Sequence, residues 1–490
     1  MALRLTSRWV LGFNGTGHVL FEDGEVMLDS GVVVHVGPRS DRPADQGEEL
    51  GECLLAPGFI DLNALADADT TILGFGSAGE AGRGVWSAAY AARSHDVLSG
   101  AETVAAARAA FAQLLLSGIT TALPVTSLLF RQWAESAAEF EAIAALADEL
   151  GIRLVLGPSF RSAVNVIGAE GAPGQFTNEA RGIAGLEQAV TFIGSRGGGA
   201  GLVSGLLVPS TIDTCSDELL IRTARAAEAL DVPFRLHCCQ SQAEAELIWT
   251  RTGRSSIGHL RDLGILSRRA LLPHAIHLGG PLADPGLIED DLAALADSGA
   301  VVVNCPLVVG RGGRRLRNFV NLRDRGIRIG LGTDTAPPNM LMNLQTGLAM
   351  ARIDAGHGVG PADYFNLATF GGASALGRRD LGRLEAGACA DIVAWDLSRL
   401  DLQPVHDPVE ALFLMPPGLR ANQVWVAGRR VVRDGAVVGL DEPASAAALQ
   451  ANFEKLRASY AERHWQGHGW RSLFPFAFPM HQNLELQTGE

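Results

Sequence analysis

No Cys-x-x-Cys pair and no regular cysteine spacing occurs in this chain of 490 residues, although it has six cysteines. That argues against a disulfide framework and fits a reducing, cytoplasmic setting. Basic charge is also short. Forty Lys and Arg stand against 54 Asp and Glu, a formal net charge of −14, which speaks against nucleic acid and anionic membranes as partners. The amino-terminal stretch MALRLTSRWVLGFNG has no signal-type apolar core, and no run reaches the ~18 uninterrupted apolar residues of a membrane span. Internal repeats are absent, as are low-complexity tracts beyond alanine-rich helices. What is there is a chain 47% hydrophobic and 19% charged, long enough for a large α/β barrel with an appendage.

Residues 1–56 alternate and turn often. The stretch GHVLFEDGEVMLDSGVVVHVGP sets Asp-Gly and Ser-Gly between short β-branched runs, as an antiparallel β unit does. From Pro57 short buried runs (GITTALPV, GIRLVLGP, GLVSGLLVP, VPFRLHCC, LLPHAIHL, AVVVNCP, RIGLGTD) alternate with stretches of helical period. One of these, EFEAIAALADELG, closes at a helix-stopping Gly151. With the opening strand at 57–63 the runs number eight, which predicts a (β/α)₈ TIM-type barrel over 57–384. The β texture returns over 385–442, so the two flanking segments are expected to meet as one composite β-sandwich. Residues 443–490 read as a helix and an irregular aromatic tail.

In such a barrel, chemistry sits at the carboxyl ends of the strands. Those ends carry Asn63, Arg161 with Ser162, Ser210, His237 followed by Cys238, Cys239 and Gln240, then His274, Asn304 and Asp334. His237, His274 and Asp334 each end an otherwise apolar strand. Burying three titratable groups there without a use would cost stability for no return.

These segments resemble the amidohydrolase superfamily, in its branch of chlorohydrolases and heterocycle deaminases. LLAPGFIDLNAL is similar to that branch's PGFI-D-x-His-x-His opening, RLHCCQS to His-x-x-Glu, PHAIHL to Ala-His-Cys-Val-His-Leu, and GLGTD to the strand-eight aspartate. SGITTALPV, VPSTIDTCSDELL and the closing DLGRLEAGACADIVAWDL with VWVAGRRVVRDG extend the likeness over nearly the whole chain. The resemblance implies a divalent metal held by two strand-one histidines, a strand-five histidine and the aspartate, with a strand-six histidine beside it. It also implies a metal-activated water that attacks a ring carbon or carbonyl, and a strand-five glutamate that shuttles a proton to the leaving amine.

Carried over by position, His237, His274 and Asp334 match. Asn63 and Leu65 replace both strand-one histidines, Gln240 the glutamate and Ser210 a substrate-binding histidine; Asn304-Cys305-Pro306 stands for strand seven's His-Cys-Pro. Leu65 offers no donor and Asn63 a poor one for zinc. The expectation is therefore no metal, or at most one weakly held zinc-like ion on His237 and Asp334, with no binuclear centre. Catalysis would fall to His274, Asp334 and His237, and substrate binding to Asn63, Gln240, Cys239, Ser210, Asn304 and Arg311.

Other groups invite comment. Asp67 or Asp69 could fold back over the mouth, though ADADTT also reads as a solvated loop. Alternation puts Cys239 on the face of His237, pointing into the mouth, and turns Cys238 outward. Arg311, Arg314 and Arg315 follow strand seven, where they would meet an anionic substrate group or form a solvated face. HWQGHGW reads as packing or a subunit contact, with a homodimer as the candidate assembly. The insert over 72–100 and SAVNVIGAEGAPGQF have no readable code. Two functions fit: a hydrolase of a C–N bond in a small, anionic or heterocyclic molecule with a rebuilt site, and a non-catalytic scaffold or ligand-binding descendant.

Overall fold

The computed structural model describes residues 2–67, 86–93, 96–126, 133–196, 201–414, 418–478 and 480. Asp69 and most of the 72–100 insert lie outside the described residues. Strands from the two ends of the chain share one nine-stranded sheet. From the amino-terminal end come β1 (Leu3–Phe13), β2 (His18–Asp29), β3 (Val32–Pro38), β4 (Gln46–Glu49) and β5 (Cys53–Pro57). The parallel series that follows runs β6 (Phe59–Leu65), β7 (Ile119–Val125), β8 (Arg153–Leu156), β9 (Ser159–Phe160), then a hairpin of β10 (Ala163–Ile167) and β11 (Pro173–Thr177). It continues with β12 (Val203–Gly205), β13 (Val208–Pro209), β14 (Phe234–Arg235), β15 (Ala270–Pro273), β16 (Val301–Asn304) and β17 (Arg328–Leu331). The chain then returns to the large sheet as β18 (Ile392–Asp396), β19 (Gln423–Val426), β20 (Arg429–Arg433) and β21 (Ala436–Val437), where β18 pairs antiparallel with β5.

The parallel strands pair in chain order: β6–β7–β8–β12, β9–β13, and β14–β15–β16–β17. Single bridges, Leu207 to Phe234 and Thr211 to His237, join the second group to the third. The last strand meets the first: the Asp334 N–H donates to the Asn63 carbonyl at 2.8 Å, and Thr333 donates to Asp61 through its N–H at 3.0 Å and its hydroxyl at 2.5 Å. Ile60, Leu62, Leu123, Val155, Leu271, Val301 and Val303 form one apolar cluster on the inner faces, while a larger cluster lies between strands and helices. Both faces of these strands are buried, which is why they read as continuous apolar runs.

Local chemistry sets the helix bounds. Helix Gly100–Leu116 opens on a capping box of Ser99 and Glu102, which satisfies two orphan backbone donors. Helix Ala137–Leu150 stops at Gly151, whose φ of 76° suits a residue without Cβ. The carboxyl-terminal helix Glu442–Ala458 packs on the 100–116 helix, where the Asn452 side chain donates to the Glu102 carbonyl at 2.8 Å. Beyond it Arg463 stacks over Trp86, 4.6 Å from the ring centroid, and His464 stacks on His468.

His18, at the start of β2, is wedged between Phe13 and Phe365 and bonds Thr369 Oγ1 at 3.0 Å. Burial lowers its pKa to about 4 against an opposing Gly12 backbone hydrogen bond, with Arg383 lowering it further. The unfolded chain thus binds the proton more readily between pH 6.5 and 4. The His18 contribution is whole above 6.5 and is lost as pH falls through that window, about 2 kcal/mol between pH 7.5 and 5. Urea unfolding of His18→Phe should show an acid loss smaller than wild type by that amount. Equal losses in the two proteins would refute the linkage.

Candidate active site

A cavity of ≈ 1010 Å³ opens at the carboxyl ends of β6, β7, β13, β14, β15 and β17. Its walls are apolar (Leu65, Val125, Val164, Val166, Val208, Leu247), with Trp86 at one side and the β10–β11 hairpin forming another. The SAVNVIGAEGAPGQF segment, opaque as sequence, is that hairpin. His237, His274 and Asp334 stand together in the cavity with Ser210 and Gln240.

Their geometry is specific. His274 Nε2 lies 3.5 Å from Asp334 Oδ2, and the rings of His237 and His274 are 5.5 Å apart at 38°. His237 Nδ1 contacts the Ser210 carbonyl at 3.0 Å, so that nitrogen carries the proton and Nε2 keeps its lone pair. Burial, with Arg235 behind it, holds His237 down at about 3, and burial, with His237 and Arg314 nearby, holds His274 well below its ordinary value. Both imidazoles are therefore neutral at pH 7. Burial pushes Asp334 up to about 7, against the Arg235 charge and an Asn63 hydrogen bond that favour its carboxylate.

Four of the expected site residues lie elsewhere. Asn63 is fully buried off the cavity, its Nδ2 donating toward Cys305 Sγ at 3.8 Å and its amide bonding Asp334. Cys239 has φ of 55°, so strand alternation ends before it. Its thiol sits with Cys238 in the helix-facing core, and its N–H donates to Glu244 Oε1 at 2.6 Å. The Asn304 amide turns away to Tyr364 Oη at 3.3 Å. Arg311 does not line the cavity, nor do its neighbours: Arg314 donates to the Gln240 carbonyl at 2.5 Å, and Arg315 forks onto Asp354. The charged lining is Asp67, Asp213, Glu244, Glu246 and Asp334 against Arg161. Among the described lining residues, that balance lends no support to an anionic substrate group.

Sequence reasoning passed over three residues. Cys305 continues the inward alternation of Val301 and Val303 and lies beside Asn63, a parity signal present in AVVVNCP. Arg235, fully buried, reaches from β14 to the carbonyls of Leu62, Leu123 and Pro124 on β6 and β7. Its signal was the one charge inside VPFRLHCC. Glu244 accepts from the Cys239 and Gln240 N–H groups and the Ser256 hydroxyl, and burial pushes it up to about 7.

The strand-one positions do not suit a metal. Leu65 packs on Val125, and Asn63 directs N–H groups at its neighbours. A different donor set does suit one: ligand atoms of His274, Cys305 and Asp334 all lie within 4.8 Å of one another. Imidazole, thiolate and carboxylate are zinc ligands.

The profile of the amidohydrolase family matches residues 54–431. The 5-methylthioadenosine/S-adenosylhomocysteine deaminase of Teredinibacter turnerae is 33% identical, over 50% of this chain and 55% of that protein. That match spans about half the length of the relative. The 8-oxoguanine deaminase of Pseudomonas aeruginosa is 31% identical over 72% of this chain and 77% of that one. Among solved structures, a zinc-bound adenosine deaminase from Xanthomonas campestris superposes with a TM-score of 0.74 at 20% identity, covering 93% of this chain and 98% of that one. Among the described residues, no helix is long and apolar enough to cross a membrane.

Proposed function

The chain belongs to the amidohydrolase family and is a hydrolase of carbon–nitrogen bonds, and from that premise we propose that it deaminates an amino-substituted heterocycle of nucleoside size. With β8–β9 and β12–β13 each taken as one interrupted strand, the parallel strands are read as a closed (β/α)₈ barrel, an architecture supported by the hydrogen bonds that join β17 to β6 and by the superposition on the zinc-bound deaminase. The observation that carries the reaction is the contact of His274 Nε2 with Asp334 Oδ2 at 3.5 Å on the floor of the cavity.

Water adds through its oxygen to the ring carbon bearing the amine, and its proton passes to Asp334. A carboxylate poised near 7 is suited to taking that proton and giving it back. The same proton then goes to the amine nitrogen, and ammonia leaves with the C–N bonding pair while the ring keeps the oxygen. His274, neutral and protonated on Nε2, steers the Asp334 oxygen. His237, fixed through Nδ1 on Ser210, turns an accepting Nε2 to the substrate. Gln240 and Ser210 are placed to bond ring heteroatoms. A divalent metal, when bound, would be held by His274, Cys305 and Asp334 and would acidify the water.

The cavity exceeds the need of a bare nucleobase. On its lining, Asn165 donates to Asp213 Oδ2 at 2.6 Å, while Asp213 Oδ1 has no partner among the described residues. That oxygen calls for a donor on the substrate, such as a sugar hydroxyl. The test is ammonia release from a panel of aminopurines, aminopyrimidines and aminotriazines, each as free base and as nucleoside. Turnover should favour a nucleoside over its base. Chloride release from chlorotriazines with no ammonia from any amine would overturn the reading.

A further inference from the structure

We propose that Trp86 is a specificity-determining wall of the cavity, packing against an apolar face on the non-reacting part of the substrate, and that Arg463 is the positioning residue that holds it. For its substrate this assignment rests on the deaminase reading; the geometry of the wall does not. The segment around HWQGHGW, which the chemistry at the strand ends leaves unused, thereby becomes part of the active site.

Trp86 lines the same cavity as His237, His274 and Asp334. An indole exchanges no proton near neutral pH and offers apolar area and one N–H donor, so its part in a reaction there is binding. Val164, Val166 and Ile167 of β10 line the cavity too, and the Ile167 N–H donates to the Trp86 carbonyl at 2.9 Å. Successive residues of an extended chain direct their backbone groups to opposite edges. On the second edge the Ser87 N–H donates to the Arg463 carbonyl at 2.8 Å, and Trp86 bridges antiparallel to His464. Residues 86 and 87 are thus the middle of a three-stranded patch, with the hairpin on one side and the carboxyl-terminal segment on the other.

The indole is fixed as well as its backbone. Tyr90 stacks on it at 5.3 Å and 14°, and the Tyr90 N–H donates to Ser87 Oγ at 3.0 Å. Arg463 Cζ lies 4.6 Å from the Trp86 ring centroid and 4.9 Å from that of Tyr460. Arg463 is 1% exposed, and its Nε and Nη2 donate to Ser459 Oγ at 2.5 Å and the Leu456 carbonyl at 3.1 Å. A desolvated guanidinium over a ring is where cation–π attraction is strongest. The end of helix Glu442–Ala458 delivers this cation, and that helix is pinned on the 100–116 helix through Asn452. Farther along, Trp465 packs on the β10–β11 turn, where a Cβ on Gly171 would stand 3.0 Å from its ring. One segment braces both Trp86 and the hairpin that walls the cavity.

The experiment compares Trp86→Ala, Arg463→Met and Arg463→Lys in the full chain, on the amine that the ammonia-release panel identifies. Trp86→Ala should raise KM about tenfold with kcat within about threefold, the mark of lost binding to a part of the substrate that does not react. Arg463→Met should raise KM about fivefold, and Arg463→Lys, which returns a cation to the ring, should recover most of that. Arg457, stacked at 4.0 Å over Trp470 in the same segment, is the control for loosening of the segment as a whole, and Arg457→Met should leave KM unchanged. Hydrogen exchange on the substrate-free chain supplies a second readout. Arg463→Met should speed exchange of the Ser87 and Ile167 amides about tenfold and leave those of His274 and Asp334 as in wild type. A fall in kcat at unchanged KM in Trp86→Ala, or an equal rise of KM in Arg457→Met, would overturn the substrate contact while the deaminase reading stands. Exchange unchanged by Arg463→Met would overturn the positioning role. A panel with no turnover removes the deaminase reading and the substrate contact with it, while exchange still decides the positioning role.

Discussion

Asp334→Asn should lower kcat/KM by about 10³-fold on the amine that the ammonia-release panel identifies, within the range for removing a general base. The substitution keeps side-chain volume and one carbonyl oxygen but can neither take nor return a proton. The contact with His274 Nε2 at 3.5 Å can persist, so orientation is retained while the chemistry is not. Stability should hold or rise, because burial works against the Asp334 charge and an amide carries none. Activity lost with the fold intact is the diagnostic combination. Steady-state kinetics and urea unfolding on the same preparation check it. A variant within tenfold of wild type would show that another group moves the proton.

The second large effect concerns the join between the parallel strands and the outer sheet. Arg153 on β8 forks onto Asp391, just before β18, with Nη2–Oδ1 at 3.1 Å and Nε–Oδ2 at 3.3 Å. Their side chains are 7% and 4% exposed, and Asp391 Oδ1 also accepts the Ala427 N–H at 2.8 Å. Asp391→Ala strands a guanidinium in the interior and orphans a backbone donor. The expected loss is about 3–5 kcal/mol, the cost of breaking a buried pair by removing one partner. Replacing both partners, as Arg153→Met with Asp391→Leu, should recover part of it, since no lone charge then stays buried. Urea unfolding of the two single variants and the double one gives the coupling energy. A single-variant loss below 1 kcal/mol would mean that the pair is hydrated.

How far the sequence reached can be judged from individual residues. The strand ends at His237, His274 and Asp334 were legible because a polar group closing an apolar run is unusual, and the cavity gathers all three. Gly151 was legible as a helix stop because left-handed backbone selects glycine. The displacement of Cys239 was not legible: alternation presumes extended backbone, and φ there is 55°. Asn63 bonding with Cys305 was hidden for another reason, since the partners are 242 residues apart and no local pattern joins them. Arg314 and Arg315 looked like a basic rim until the structure showed what each one braces.

Three of the last four parallel strands end in left-handed non-glycine backbone, where β14, β15 and β17 give out: Cys239 (φ 55°), His274 (φ 82°) and Asp334 (φ 47°). Such conformations cost of order 1–3 kcal/mol each unless the neighbours hold them. The consequence lies in which substitutions the mouth of this enzyme can explore. Glycine, asparagine and aspartate enter such positions cheaply, whereas valine, isoleucine and threonine are barred by their own Cβ branches. Random variation at these three sites therefore samples a narrow, mostly polar alphabet. A laboratory library drawn from Gly, Asn, Asp and His would keep more folded members than one open to all residues.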